Sequence, residues 1–82
     1  MKPISTVNVI IKKDNIIESI VSFYDNPEGN KAAEESFEVT IRKEYPISDK
    51  DMKIAIEDGY FDIGGHQFFL IHSESAEWII KK

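Results

Sequence analysis

The sequence contains no cysteine. That excludes disulfides and zinc–thiolate sites, and it removes the staples that small secreted domains commonly need. Arginine occurs once, at Arg42. The clustered Lys and Arg that neutralise phosphates are therefore missing, and no nucleic-acid partner is expected. Apolar runs stop at four residues, as in Phe68-Phe69-Leu70-Ile71, far short of a membrane span, so no membrane association is expected. The opening Met1-Lys2-Pro3-Ile4-Ser5-Thr6 holds no apolar stretch of signal-peptide length, and the expected location is cytoplasmic. No G-x-S-x-G, P-loop or G-x-G-x-x-G motif occurs, and neither does an internal repeat.

What is present suits one small domain spanning 1–82. The 82 residues are 41% hydrophobic and 30% charged, which places the chain outside the disordered range and allows a thin core. Thin cores often gain from self-association, and a homodimer is expected. The net charge of −5 is uneven: residues 1–24 carry +1 and residues 25–82 carry −6. Solubility is the simplest account of that acidity.

Residues 5–25 read as a β-hairpin. Val7, Val9 and Ile11 alternate with Thr6, Asn8, Ile10 and Lys12 in the first arm. Ile17, Ser19, Val21 and Phe23 alternate with Glu18, Ile20, Ser22 and Tyr24 in the second. Asp14-Asn15 between them suits a two-residue turn, because both side chains tolerate positive φ. Asn26-Pro27-Glu28 is a helix-start signal, but Gly29 weakens it, and Asn30 is a rival cap for a helix over 31–45. Ala33, Phe37, Ile41 and Tyr45 form its apolar stripe. Phe37-Glu38-Val39-Thr40-Ile41 also alternates like a strand, and the preceding Ala-Ala-Glu-Glu run favours helix. Ser48-Asp49-Lys50-Asp51 reads as a capping box for a second helix over 48–58, stopped by Gly59. Residues 60–72 form a second hairpin around Gly64-Gly65, with Ile63 facing His66 and Phe61 facing Phe68. The tail, 73–82, fits a last helical turn or an edge strand at Trp78-Ile79-Ile80.

The expected fold is α+β: an antiparallel four-stranded sheet of two hairpins, with two helices on one face, in the order β-β-α-α-β-β. The other face is expected to carry Ile10, Ile20 and Tyr24, together with Phe68 and Leu70, as an apolar surface. Either the tail and Trp78 pack on that surface or a partner does. Ile10, Ile20, Tyr24, Tyr60, Phe68 and Trp78 are the expected protein-contact residues. Tyr60 stands out because a ring with a hydroxyl makes a good contact group at a groove rim.

Chemistry-bearing groupings are few. Asp62, His66 and His72 are the one set with metal-ligand character. The two histidines lie on one expected strand roughly 20 Å apart and cannot share an ion. Asp62 and His66 supply two ligands where a catalytic zinc commonly has three, so they read as surface polar residues and no metal is expected. Ser73 follows His72 directly, and neighbours in a strand point to opposite faces, so no activated serine is formed. Glu34, Glu35 and Glu38 read as a solvated helix face. No catalytic residue and no cofactor is expected.

The first hairpin, Asn26-Pro27-Glu28-Gly29-Asn30, Asp58-Gly59-Tyr60-Phe61 and Phe68-Phe69-Leu70-Ile71-His72-Ser73, taken together, resemble short uncharacterised proteins of bacteria and their mobile elements, over about residues 7–73. The resemblance implies a bacterial setting and brings no activity and no site residues. The expected function is a non-enzymatic protein–protein interaction module, dimeric, acting through an open sheet face or an exposed strand edge. A second expectation is an acidic regulator or inhibitor that presents carboxylates to a basic protein surface, in the manner of nucleic-acid mimics. A third is a small enzyme or ligand-binding domain built on a polar pocket.

Overall fold

A computed structural model describes residues 5–72. The elements are β1 (Thr6–Lys13), β2 (Ile16–Tyr24), α1 (Pro27–Glu44), α2 (Asp49–Asp58), β3 (Tyr60–Ile63) and β4 (His66–His72). The strands form one antiparallel sheet in the order β2-β1-β4-β3. The tail and Trp78 lie outside the described residues. Among the described residues no helix is long and apolar enough to cross a membrane.

Local chemistry sets each boundary. Asp14 and Asn15 both take positive φ, 51° and 67°, and turn β1 into β2. Gly64 and Gly65 do the same between β3 and β4, with Ile63 opposite His66 and Phe61 opposite Phe68. The two turns sit side by side, joined by a bond from the Asp14 amide to the Gly65 carbonyl (3.2 Å).

The first helix starts earlier than the sequence suggests. Asn26 Oδ1 accepts from the Gly29 amide at 2.7 Å, Pro27 occupies the first turn, and α1 runs from Pro27 instead of residue 31. Gly29 is no breaker here. A Cβ at that position would overlap the Tyr24 carbonyl oxygen, so glycine is what lets the helix start against the end of β2. Residues 37–43 are helical, and Thr40 satisfies its hydroxyl on the Ser36 carbonyl (2.6 Å). Tyr45 leaves the helix in an extended conformation, as expected of a residue before proline. Ser48 caps α2 by accepting from the Asp51 amide (3.1 Å), and Gly59 ends it at φ 70°. Arg42, the single arginine, ties the two helices together. It pairs with Glu38 (2.9 Å) and Asp49 (2.8 Å) and donates to the Ile47 carbonyl (3.0 Å).

One apolar cluster holds the layers together: Val7 and Val9 of β1 and Phe68 of β4 meet Ala33, Phe37 and Ile41 of α1 and Met52 and Ala55 of α2. Phe37, Ile41 and Phe68 are fully buried, each stabilising the fold by about 1.5–3 kcal/mol through transfer from water. Two expectations about the far side of the sheet fail. Phe68 and Leu70 belong to the core-facing side, because they pair with Ile11 and Val9 on the core-facing side of β1. Ile10, on the far side in the central strand β1 with Ile20 and Phe69 as its cross-strand partners, is itself fully buried. The far side is therefore not a flat surface free at its centre.

The register of β1 and β2 also slips once. Ile11 pairs with Ser19 but Lys12 pairs with Ile17, so Glu18 is an extra residue in β2. Beyond the bulge the alternation reverses. Ile17 shares the side of Lys12, not the core-facing side that Val21 and Phe23 occupy.

Candidate functional site

Two places combine geometry with chemistry: the edge strand β2 and the surroundings of His66. Among the described residues β2 is the outermost strand on its side of the sheet. Four large apolar residues are exposed along it: Ile16 (69%), Tyr24 (67%), Ile20 (44%) and Val21 (43%). Ser19–Tyr24 is regular and holds no Lys and no Pro, the residues that commonly blunt an edge. An open hollow of about 550 Å³ adjoins its end, between Phe23 and Tyr24 on one side and Asn26 and Gly29 at the start of α1 on the other.

The opposite edge differs. Strand β3 is four residues long and carries Asp62, whose carboxylate accepts from the Tyr60 hydroxyl (3.0 Å). Gln67 Nε2 donates to the same hydroxyl (3.3 Å), and Phe69 lies 5.1 Å from the Tyr60 ring, centroid to centroid. Tyr60 is exposed, but its polar end is already engaged within the sheet.

His66 is not the surface residue that its place beside a turn suggests. It is 4% exposed, on the core-facing side of β4, with its ring 4.4 Å from Phe68 and 5.9 Å from Tyr45. The Tyr45 hydroxyl lies 3.0 Å from Nδ1, and Glu44 Oε2 lies 3.1 Å from the same nitrogen. Glu18 Oε2 approaches the other nitrogen, Nε2, at 3.3 Å. Glu18 reaches it because the bulge sets it opposite the core-facing Ile11 together with Ser19. A hollow of about 150 Å³ adjoins the cluster, lined by Glu18, Thr40, Lys43, Glu44 and His66 over Ile11 and Phe68. Nothing in the sequence pattern joins Glu18, Glu44 and His66, which come from three elements.

The other candidates do not converge. Asp62 pairs across the sheet with Gln67 and so faces away from His66. His72 sits at the far end of β4, exposed, with Nδ1 3.4 Å from Asp25 Oδ2. The Asn30 amide (3.1 Å) and the Ser5 hydroxyl (3.1 Å) donate to Asp25 and hold its carboxyl below the usual carboxylate range. Among the described residues no three His, Cys, Asp or Glu side chains are grouped to hold one metal ion. Of the six expected contact residues, Ile20, Tyr24 and Tyr60 are exposed, Ile10 and Phe68 are buried, and Trp78 is outside the described residues. Compared with protein-family models, with curated proteins and with solved structures, the chain matches none.

Proposed function

We propose that the chain is a non-enzymatic protein-interaction module that self-associates through the edge of β2, strand against strand with a second copy. This reading takes the sheet as two hairpins with both helices on one face, so that the two outer strands are where the sheet can grow. The observation that carries it is the run of exposed apolar side chains on a nine-residue edge strand. An unpaired row of backbone N–H and C=O groups beside apolar side chains is a template for strand addition.

A second copy is the occupant because the segment is self-complementary. Antiparallel pairing about a twofold axis at Ser22 sets Ile20 opposite Tyr24 of the other copy, twice, and Val21 opposite its Phe23. Aromatic–aliphatic pairs of this kind contribute roughly 0.2–1 kcal/mol each. The same register keeps the two Glu18 carboxylates apart, beyond the paired stretch. Each chain carries −5, so long-range repulsion opposes the dimer and salt relieves it. Lack of cysteine and the resemblance to bacterial proteins support a bacterial, cytoplasmic setting for this reading.

Sedimentation equilibrium across the micromolar range tests it. The expected result is a dimer that tightens at high salt, and a Tyr24→Lys variant that is monomeric with unchanged circular dichroism. A wild-type chain that stays monomeric at every concentration and salt would remove the reading.

A further inference from the structure

Ile10 is fully buried, yet it belongs neither to the apolar core nor to the partly buried residues packed against that core. Its neighbour Val9 does belong to the core, so Ile10 points to the other side of the sheet. The whole of that row in β1 is shut off from water: Asn8 is 5% exposed, Ile10 0% and Lys12 8%. A sheet face without a covering layer is solvated. Adjacent strands shield a residue from the sides but not from above. The described helices meet β1 through Val7 and Val9, on the opposite side, so they do not supply this cover.

Exposure across the face gives the outline of the cover. Gln67, Phe69 and Ile71 of β4, on the same side, are half-buried, whereas Ile20 and Tyr24 of β2 and Tyr60 of β3 are exposed. The cover is a narrow strip over β1 and β4, about 13 Å long from Asn8 to Lys12. Residues 1–4 and 73–82 lie outside the described residues. Four residues reach at most about 14 Å from Ser5, while Ile10 lies about 17 Å along the strand and a covering layer stands about 10 Å above it. Residues 73–82 begin beside the strip, because His72 pairs with Val7. The six residues to Trp78 span up to about 20 Å, enough to rise one layer and return over Ile10, three residues along β1 from Val7. Composition agrees with that placement. Trp78-Ile79-Ile80 is apolar, and Glu74 and Glu77 supply carboxylates for the Lys12 ammonium.

We propose that residues 73–82 dock as a strap on the far side of the sheet, over β1 and β4, with Trp78 and its two isoleucines covering Ile10. The strap closes the centre of this face to partners. It leaves the outer row of β2, Ile20 and Tyr24, uncovered. The proposal is independent of the β2 edge as a site of self-association, since the strap belongs to the same chain as the face it covers.

Trp78 is the single tryptophan, so fluorescence of the full chain reports on this segment alone. Its emission is expected to lie to the blue of tryptophan in water, with acrylamide quenching several-fold weaker than in the urea-unfolded chain. Proton NMR of the same protein should show Overhauser contacts from the indole to the side chains of Ile10 and Phe69. Trp78→Ala leaves the core cluster untouched, and it is expected to shift the Ile10 methyl resonances and lower the urea midpoint. An indole quenched as readily as free tryptophan would overturn the proposal. So would contacts to Ile10 from residues 1–4 in place of Trp78. Protection that disappears on dilution would assign the cover to a second copy and equally remove the strap.

Discussion

Phe68 and Tyr24 are both aromatic and both lie at one end of a strand's apolar stretch, yet one is fully buried and the other is 67% exposed. The difference is position in the sheet. Phe68 stands on β4, an inner strand, where Val9 and Ile11 of β1, Phe61 of β3 and the stripe of α1 close around it. Tyr24 stands at the end of an outer strand that has a neighbour on one side. Interior strands convert apolar residues into stability, whereas the outer strand leaves Ile16, Ile20, Val21 and Tyr24 exposed.

The largest effects should come from the interior. Phe37→Asp places an unpaired charge in the centre of the cluster, and the loss is expected to be on the order of 3–5 kcal/mol or more. A domain of this length holds about 4–12 kcal/mol in total, so urea denaturation should find the variant unfolded or nearly so. A harmless Phe37→Asp would mean that α1 does not present its Ala33–Phe37–Ile41 stripe to the sheet. Next in size, Phe68→Ala is expected to cost about 3–5 kcal/mol, while Ile20→Ala on the edge should fall within about 0.5–1 kcal/mol. Equal costs from the two substitutions, measured at low protein concentration where the monomer prevails, would erase the distinction between inner and outer strands.

Most of this architecture is legible in the sequence. Asp14-Asn15, Gly64-Gly65, the Ser48 capping box and the Gly59 stop each depend on a few adjacent residues, and all stand where the sequence indicates. What escapes such a reading depends on distant partners. Phe68-Phe69-Leu70-Ile71 is apolar throughout, so its period-2 phase carries no mark, and only the pairing with β1, which sets Phe68 opposite Ile11 and Leu70 opposite Val9, assigns faces. The bulge at Glu18 leaves no compositional trace, yet it reverses the facing of Ile17 and brings a carboxylate to His66. Gly29 resembles a breaker because its close neighbour, the Tyr24 carbonyl, is invisible to helix propensity. His66 resembles a surface residue for the same reason: its burial is made by Tyr45, Glu44 and Glu18, none of them nearby in the chain.

Smaller effects belong to the rim around the end of β2. Asn26→Ala removes the acceptor for the Gly29 amide and should cost about 1 kcal/mol, with the loss of helix confined to the first turn of α1. Amide exchange resolves this: protection should fall at 29 and 30 and stay intact at 37 and 41. Loss of protection along all of α1 would show that its start and its buried stripe are one unit, and the boundary between rim and interior would have to move.

The smallest expected effect is also the one with a sign that pH can read. Asp25 gathers Ser5 before β1, Asn30 in α1 and His72 at the end of β4, and its carboxyl is held below its ordinary value of 3.8 first by Asn30 and then by Ser5. A folded-state value below the unfolded one means that the charged form favours the fold. The contribution is complete above the unfolded value and disappears as pH falls through the folded one. Asp25→Asn has no charge to lose, so the two proteins should differ in urea midpoint at neutral pH, and the gap should begin to close below about pH 4. Because the group is solvated, the gap should be small and should shrink with salt. A gap of constant size down to about pH 3 would mean that these bonds act through shape alone, and that the rim, like the interior, is held without charge.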